Sequence, residues 1–437
     1  MIGVYTQIKI NRVVNNMDLD FLMVSGLMGD VPPVDPNLKQ WLQQQTITQE
    51  SPGRIFQDWQ SFLDFIGTDG AEVTGKNDYF PMKLLPEINA CLSQPIDIDL
   101  KRPQQKSYPY IHGLYLLVRL LGLASPIREG KKSKLIINQD LLKTWQKLNV
   151  TEQYLILLEV ALFWLSIDYG SVATFLSTFN TWMRLPQKKV KITKQNAGKY
   201  NLDYLETVTH FALFDLFGLV KLESGKPLPG KGWNITAIEK TPFGEAMMQV
   251  LIRCFMSQGS SFVSHRENPL IYGEFQPLLQ EYFPDYQHKF TIPDPNESRE
   301  LTDGIYQFKV SLGRAWRRIL LRGDSTLDPL ADTILNAFDF DKDHLYQFIC
   351  KNRLGKEFYI NERFLEEPPY TDKFLVKELP LQIGDTMIFL FDFGDNWQFS
   401  VMLEGINPPD KDLKIPIIEE SKGKAPIQYE EWDDHEY

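Results

Sequence analysis

The sequence predicts a multidomain fold: a mainly α N-terminal region with two winged-helix-like units, then an α+β domain built on a β-grasp-like sheet. Three observations carry this. A helix, hairpin, helix order occurs twice, 96 residues apart, with the shared text Leu120-Leu-Gly-Leu123 and Leu216-Phe-Gly-Leu219. Strand pairs around one helix dominate the last third of the chain. The chain has 437 residues, 43% of them hydrophobic and 24% charged, enough for several buried cores.

Residues 1–78 are expected to form an N-terminal helical region. Pro32, Pro33 and Pro36 punctuate its start, and Phe56, Trp59, Phe62, Leu63 and Ile66 recur at helical spacing over Ile55 to Ile66. A first winged-helix-like unit with a basic linker is assigned to 79–200. It contains helices at Met82 to Leu92 and Tyr110 to Leu121, with Gly122 as terminator. Short apolar runs follow at Leu123 to Ile127 and Leu135 to Ile137. Asn138 is placed to cap the helix Gln139 to Leu148, and Thr151 starts another that runs to Ile167. The second unit, with a connector, covers 201–298. His210 to Phe217 is helical, Leu219 to Glu223 pairs with Trp233 to Lys240, and Thr241-Pro242 opens a helix to Cys254.

The α+β domain is assigned to 299–437. Tyr306 to Leu312 with Trp316 to Leu321, His344 to Cys350 with Glu357 to Ile360, and Thr386 to Phe393 with Trp397 to Leu403 read as three hairpins. Asp328 to Phe338 reads as a helix, with Ser325 and Thr326 as cap candidates. Trp316, Phe340, Phe348, Phe391, Phe393 and Trp397 are expected in the core, although an open sheet face could also stack bases. Strand alternation puts Phe391 and Phe393 on one face and sends Arg317 and Arg318 to opposite faces.

The net charge of −11 is uneven: residues 101–200 hold sixteen lysines and arginines against five acids, while 301–437 carry a net −10. Cys91, Cys254 and Cys350 lie far apart with no CxxC pair, which argues against a thiolate zinc site and fits a reducing compartment. The opening MIGVYTQIKINRVVNN lacks a basic-then-apolar signal pattern. The most apolar run, Tyr154 to Ile167, is 14 residues long and contains Glu159, too short for a membrane span. The expected location is the cytoplasm, with no membrane association.

Four stretches of the last domain stand in a recognisable order: Trp316-Arg-Arg318, Ala337-Phe-Asp-Phe340, His344-Leu-Tyr-Gln-Phe348 and Phe391-Asp-Phe-Gly-Asp-Asn-Trp397. In order and spacing this region resembles the plasmid pRiA4b ORF-3-like family, over about a quarter of the chain. The motif positions are Trp316, Arg317, Arg318, Phe338, His344, Asp392, Gly394, Asp395 and Trp397. The resemblance implies a fold and a link to mobile elements, since the family includes an insertion-element passenger protein sometimes labelled a resolvase; it implies no reaction. The turn Ser311 to Ala315 is shorter than the family's Pro-containing one. The tail Lys424 to Tyr429 lacks the cysteine that many relatives carry, so a metal or thiol role does not transfer. The helical region upstream also looks like the N-terminal part of longer relatives.

Two basic clusters are candidates for phosphate contact: Arg128, Lys131, Lys132 and Lys134, then Arg184, Lys188, Lys189, Lys191, Lys194 and Lys199, with no acid within the second. Cations at this spacing neutralise phosphates and release counterions. In a winged helix the wing touches the backbone while a helix enters the major groove. The same residues also fit a solvated hairpin tip and a lysine-rich linker. Asp341, His344, Asp392 and Asp395 form the best acid and histidine group. They could bind a hard divalent metal and direct phosphodiester hydrolysis, or simply build turns around Gly394.

Three patterns are set aside. Gly225 to Lys231 copies a phosphate-binding loop, but Gly232 follows in place of Ser or Thr and a strand replaces the helix. Asp392-Phe-Gly394 copies a kinase triplet without its companions. His112 on an apolar helix reads as a satisfied core residue.

The leading expectation is a non-enzymatic nucleic-acid-associated protein, linked to mobile elements, whose ligand is DNA and whose C-terminal domain binds a protein partner. The acidic tail Glu430 to Asp434 would suit a basic one. No cofactor and no metal belong to this reading. A metal-dependent nuclease using Asp392, Asp395 and His344, and a protein-interaction scaffold, stand as alternatives. The oligomeric state is left open.

Overall fold

The computed structural model describes residues 36–292 and 302–429, apart from 76, 130–131, 164–180, 228, 231, 258–272, 274, 353–354, 356 and 411–412. Lys131, the helix beyond Phe163, Lys231 and the tail Glu430 to Asp434 therefore lie outside the described residues. The chain divides into two compact units, 1–127 with 132–292, and 128–131 with 293–437.

The first unit is helical with two small sheets. Helices α1 (Pro36–Gln43) and α2 (Ile55–Ile66) lead into strand β1 (Ala71–Val73) and helix α3 (Leu85–Cys91). Helix α2 buries Ile55, Phe56, Trp59, Phe62, Leu63 and Ile66, as its apolar spacing requires. Helix α4 (Pro109–Leu120) then runs into a hairpin of β2 (Ala124–Glu129) and β3 (Lys132–Ile137). Gly122 ends α4 at φ +72°, a conformation glycine adopts without a Cβ penalty. The expected cap is present: Asn138 accepts the Asp140 and Leu141 amides ahead of α5 (Gln139–Gln146). Helix α6 (Val150–Phe163) follows, its first turn capped by Asn149, whose Oδ1 accepts the Glu152 amide at 2.8 Å.

The same connectivity recurs. Strand β4 (Val190–Lys191) precedes α7 (Leu205–Leu216), the hairpin β5 (Val220–Ser224) and β6 (Ile235–Lys240), and α8 (Pro242–Ser257). Gly218 ends α7 at φ +71°, and Thr241 Oγ1 accepts the Gly244 amide ahead of α8. Each hairpin recruits a strand from the segment before it, giving sheets of order β1-β3-β2 and β4-β6-β5. Ala71 lies opposite Leu135, and Val190 opposite Ile238. Neither recruited strand was legible beforehand. Three residues and two residues are too few to show alternation.

Helices α4 and α7 pack on each other. Every residue of α4 is buried, and a Cβ on Gly113 would meet Leu213 at 2.9 Å. A buried charge network ties them to α2. Arg54 reaches Asp58 and, at 2.6 Å, Asp215, while Tyr110 donates to Asp215 at 2.9 Å. The Ser93 and Leu222 amides supply the remaining donors to the two carboxylates, at 2.6 and 3.1 Å. The segment around α9 (Gln276–Gln280) is held to α6 by two buried acids. Glu159 accepts the Gly273 amide and the Tyr286 hydroxyl, and Glu152 accepts the Gln287 amide.

The second unit holds a seven-stranded sheet of order β10-β9-β11-β12-β7-β8-β13. Its strands are β7 (Ile305–Leu312), β8 (Ala315–Arg322), β9 (Tyr346–Lys351), β10 (Glu357–Asn361), β11 (Thr386–Phe391), β12 (Trp397–Asn407) and β13 (Ile417–Lys422). All six neighbouring pairs are antiparallel. Helix α10 (Asp328–Phe338) covers one face with Leu330, Ala331, Ile334, Leu335 and Phe338, against Phe308, Ile319, Phe348, Phe389 and Phe399. The architecture is thus helices in the N-terminal half and a large antiparallel sheet in the C-terminal region.

Several local expectations change. Ser325 and Thr326 do not cap α10. Leu327 occupies the N-cap, and its amide donates to Thr371 at 3.0 Å. Phe391 is buried but Phe393 is 46% exposed, because β11 stops at Phe391 and Asp392 turns to φ +55°, which breaks the alternation. Trp316 lies on the face opposite the core, under Lys309 and Arg318 at 4.8 and 5.4 Å. Trp397 packs half-buried against the core, and Phe340 and Phe348 are inside.

Candidate functional site

The second basic cluster is not a shapeless linker. Val190 and Lys191 form the edge strand β4, and the chain then folds through tight turns. Asn196 accepts the Thr193 amide at 2.7 Å and donates to the Lys191 carbonyl at 2.9 Å. The Ala197 amide donates to Thr193, and residues 197–200 form a 3-10 turn before Asn201 at φ +53°. Arg184, Lys188, Lys189, Lys191, Lys194 and Lys199 are all exposed along this path. Lys189 is paired with Glu223 on β5. Lys188, Lys191 and Lys194 pair with no described carboxylate. Lys221 and Lys226, exposed on β5 and its loop, add charge that sequence reasoning passed over.

The first cluster is less available. Arg128, which falls with the second unit, pairs with Asp385 at 3.2 Å. Lys134, half-buried on β3, donates to the Asp69 carbonyl at 3.1 Å. Lys132 is exposed, and Lys131 is outside the described residues. The two clusters therefore sit on different sheets, β1-β3-β2 and β4-β6-β5. The expectation that a helix enters a groove also changes. Helix α4, which precedes the first hairpin, is buried along its whole length, and α7, which precedes the second, is buried from Thr207 onward except for half-buried Val208 and Asp215, so neither offers a continuous exposed face.

In the second unit, Arg317 and Arg318 do point to opposite faces. Arg317 is buried over the Phe338 ring at 4.7 Å and donates to the carbonyls of Ala337, Trp316, Lys422 and Gly423. Arg318 faces out and pairs with Glu404 at 2.7 Å, Glu420, and Glu419 at 3.9 Å. Hydrogen bonding to Glu404 raises the Arg318 pKa further. Neither guanidinium is open to a phosphate.

The acid and histidine group comes together only in part. His344 Nε2 lies 3.3 Å from Asp392 Oδ2. Asp392 is nearly buried, and its Oδ1 accepts the Gly394 and Asp395 amides at 2.8 and 3.2 Å, the turn chemistry expected around Gly394. Asp341 and Asp395 are exposed. The Asp341 amide donates to Gln428, and the Tyr429 hydroxyl donates to Asp343 at 3.0 Å. Partial desolvation and that carboxylate push the Tyr429 phenol up to about 12. Among the described residues no group of three or more His, Cys, Asp or Glu is arranged to hold a metal. His112, held by Gln105 at 3.3 Å, is the buried core residue it was read to be. No helix among the described residues is long and apolar enough to cross a membrane.

With this geometry in place, comparison with known proteins adds one firm result. Residues 304–430 match the family model of the plasmid pRiA4b ORF-3-like protein. A solved structure of a protein of unknown function from Methanosarcina mazei Go1 is similar over 28% of this chain and 72% of its own, at 25% identity and a TM-score of 0.25. No curated protein matches the chain.

Proposed function

We propose that this chain, with its plasmid-family C-terminal region, is a sequence-blind nucleic-acid-associated protein that holds phosphates along the edge of its second hairpin sheet. The observation that carries the proposal is the exposed row Lys188, Lys191 and Lys194 on and beside β4, which pairs with no described carboxylate, in a chain of net charge −11. A locally positive edge on an anionic molecule concentrates polyanions by counterion release.

Connectivity supports reading both helix–hairpin segments as winged-helix-like units. The order helix, strand, helix, helix, hairpin, with the early strand pairing to the last, fits α2 through β3; β4 through β6 follows it from the strand onward with the 3-10 turn at 197–200 in place of one helix. In such units the helix before the hairpin reads the groove. Here those helices are buried together, which favours backbone contact over base readout. The second unit, acidic and carrying Asp341, Asp343, Asp392 and Asp395 near one end of its sheet, is proposed to dock a basic protein partner, and the family match is the basis for a mobile-element link.

Fluorescence anisotropy of the full chain with labelled DNA, from about 50 to 200 mM salt, tests this. Binding should weaken steeply with salt. The variant K188Q/K191Q/K194Q should flatten the log–log slope by about 2 to 3, since each phosphate contact contributes roughly 0.7–0.9. No retention at the lowest salt, or a triple variant that binds like the parent, would refute it.

A further inference from the structure

We infer that the nucleic acid held by this edge is single-stranded, with Tyr204 as the platform on which a base stacks. The inference rests on the nucleic-acid reading above and adds the class of strand.

Tyr204 closes the segment that carries the lysines, and it is 64% exposed with Leu205 beside it at 51%. Its backbone is well held. The Tyr204 amide donates to Asn201 at 3.2 Å, and its carbonyl accepts the Val208 amide at 3.1 Å in the first turn of α7. Asn201 is itself anchored, donating to Thr181 Oγ1 at 3.0 Å. The Leu202 amide returns to Ala197, so Lys194, Lys199 and Tyr204 stay on one short folded segment. Between Arg184 and Leu205 six cations meet a single acid, Asp203.

A tyrosine is a poor choice for this position on structural grounds. Tyr204 is the N-cap of α7, at φ −101° and ψ 127°, and it makes no side-chain cap hydrogen bond. Ser, Thr, Asp or Asn there would satisfy a free amide and stabilise the helix by about 1 kcal/mol. The ring thus neither caps the helix nor enters the core. A duplex offers its phosphates but keeps its base faces stacked, so a ring on a backbone-tracking edge gains nothing from it. A single strand offers both phosphates and unstacked π faces, the pairing that cationic grooves with aromatic platforms use.

The test compares two labelled probes on the full chain: oligo-dT of about 20 nucleotides and a duplex of the same length. The expected result is tighter binding of oligo-dT than of duplex. Tyr204→Ala should weaken oligo-dT binding about five-fold or more, as loss of one stacked base implies, and leave duplex binding unchanged. Tyr204→Trp should restore it. K188Q/K191Q/K194Q should weaken both probes. Duplex preference, or a Tyr204→Ala variant that binds oligo-dT like the parent while the lysine variant does not, overturns the single-strand assignment alone. If neither probe binds the parent chain, the nucleic-acid reading falls with it.

Discussion

The two helix–hairpin units share a plan and differ in what they turn outward. In the first, the recruited strand β1 carries Glu72, which is tied to Lys83 at 2.6 Å, and its neighbour Lys134 is spent on a backbone carbonyl. In the second, the recruited strand β4 carries Lys191 and is flanked by Lys188 and Lys194. The joint between helix and hairpin differs as well. Counting back from Gly122 and Gly218, Arg119 and Asp215 occupy matching positions with opposite charge. Arg119 lies over Tyr115 and donates to its hydroxyl, inside its own helix. Asp215 reaches across to Arg54, Tyr110 and the Leu222 amide. The Tyr115 hydroxyl in turn donates to the Asp78 carbonyl at 2.7 Å, so the first joint leans on the segment after β1 while the second ties α7 to α2 and α4. Among the described residues, the β4 edge carries three unpaired lysines against one, Lys132, on the first sheet.

The largest test of that contrast is at the joint. Asp215→Ala removes one of the two carboxylates that hold the mostly buried Arg54, together with the acceptor of Tyr110 and the Leu222 amide, and should cost about 3–5 kcal/mol in urea unfolding. Arg119→Met keeps most of the side-chain volume at the matching position, removes the hydrogen bond to Tyr115, and should cost about 1–3 kcal/mol. Equal losses would mean that the two joints do the same work.

Acid should come next. Burial lowers His112 in α4 to about 3, with Lys106 adding to the effect, and lowers His210 in α7 to about 4. Both folded values lie below the free value of 6.5, so the unfolded chain takes up protons first as pH falls. Their contribution is complete above pH 6.5 and drains away toward about 4 and then about 3. At pH 5 the loss should be about 2 kcal/mol per histidine relative to pH 7.5. His210→Gln should remove part of that pH dependence. A stability that is flat from pH 7.5 to 5 would contradict the buried, neutral assignment.

The smallest effect is expected from the first edge. Lys132→Gln with Lys134→Gln should change the salt slope of nucleic-acid binding by less than about 1, against about 2 to 3 for the three lysines of the second edge. A larger change would place the first sheet in the interface as well.

Much of the second unit was legible because alternation is a strong signal when one face is buried. Met387, Phe389 and Phe391 face the core from β11, and Phe308 and Val310 from β7, so the hairpins and α10 could be read almost to the residue. The cap Asn138 was legible from side-chain chemistry, and the start of α8 from the proline of Thr241-Pro242. The missed features lack a local signal. Strand β13 exposes nearly all of Ile-Ile-Glu-Glu-Ser-Lys, so no apolar rhythm announces it. Strand β4 hides in a lysine run, where only Val190-Lys-Ile192 hinted at alternation. The half-built His344–Asp392 pair shows the limit for sites. Residue types were right, but turn geometry and tail contacts decide which side chains meet, and Asp341 and Asp395 go elsewhere.

Arg317 gives β13 a meaning beyond its own sequence. Its buried guanidinium bonds to the Lys422 and Gly423 carbonyls and so fastens the seventh strand onto β8. Without β13, which its backbone ladder and Arg317 together hold in place, β8 would be the rim of the sheet, an eight-residue row containing Ile319, Leu320 and Leu321. Such a rim invites another chain to add a strand and then another, the route to fibrous aggregates. The strand that covers it carries Glu419, Glu420 and Lys422 and is broken by a bulge between Ile418 and Glu420, features that stop further addition. The arginine thereby reinforces the strand that turns a sticky border into a finished one.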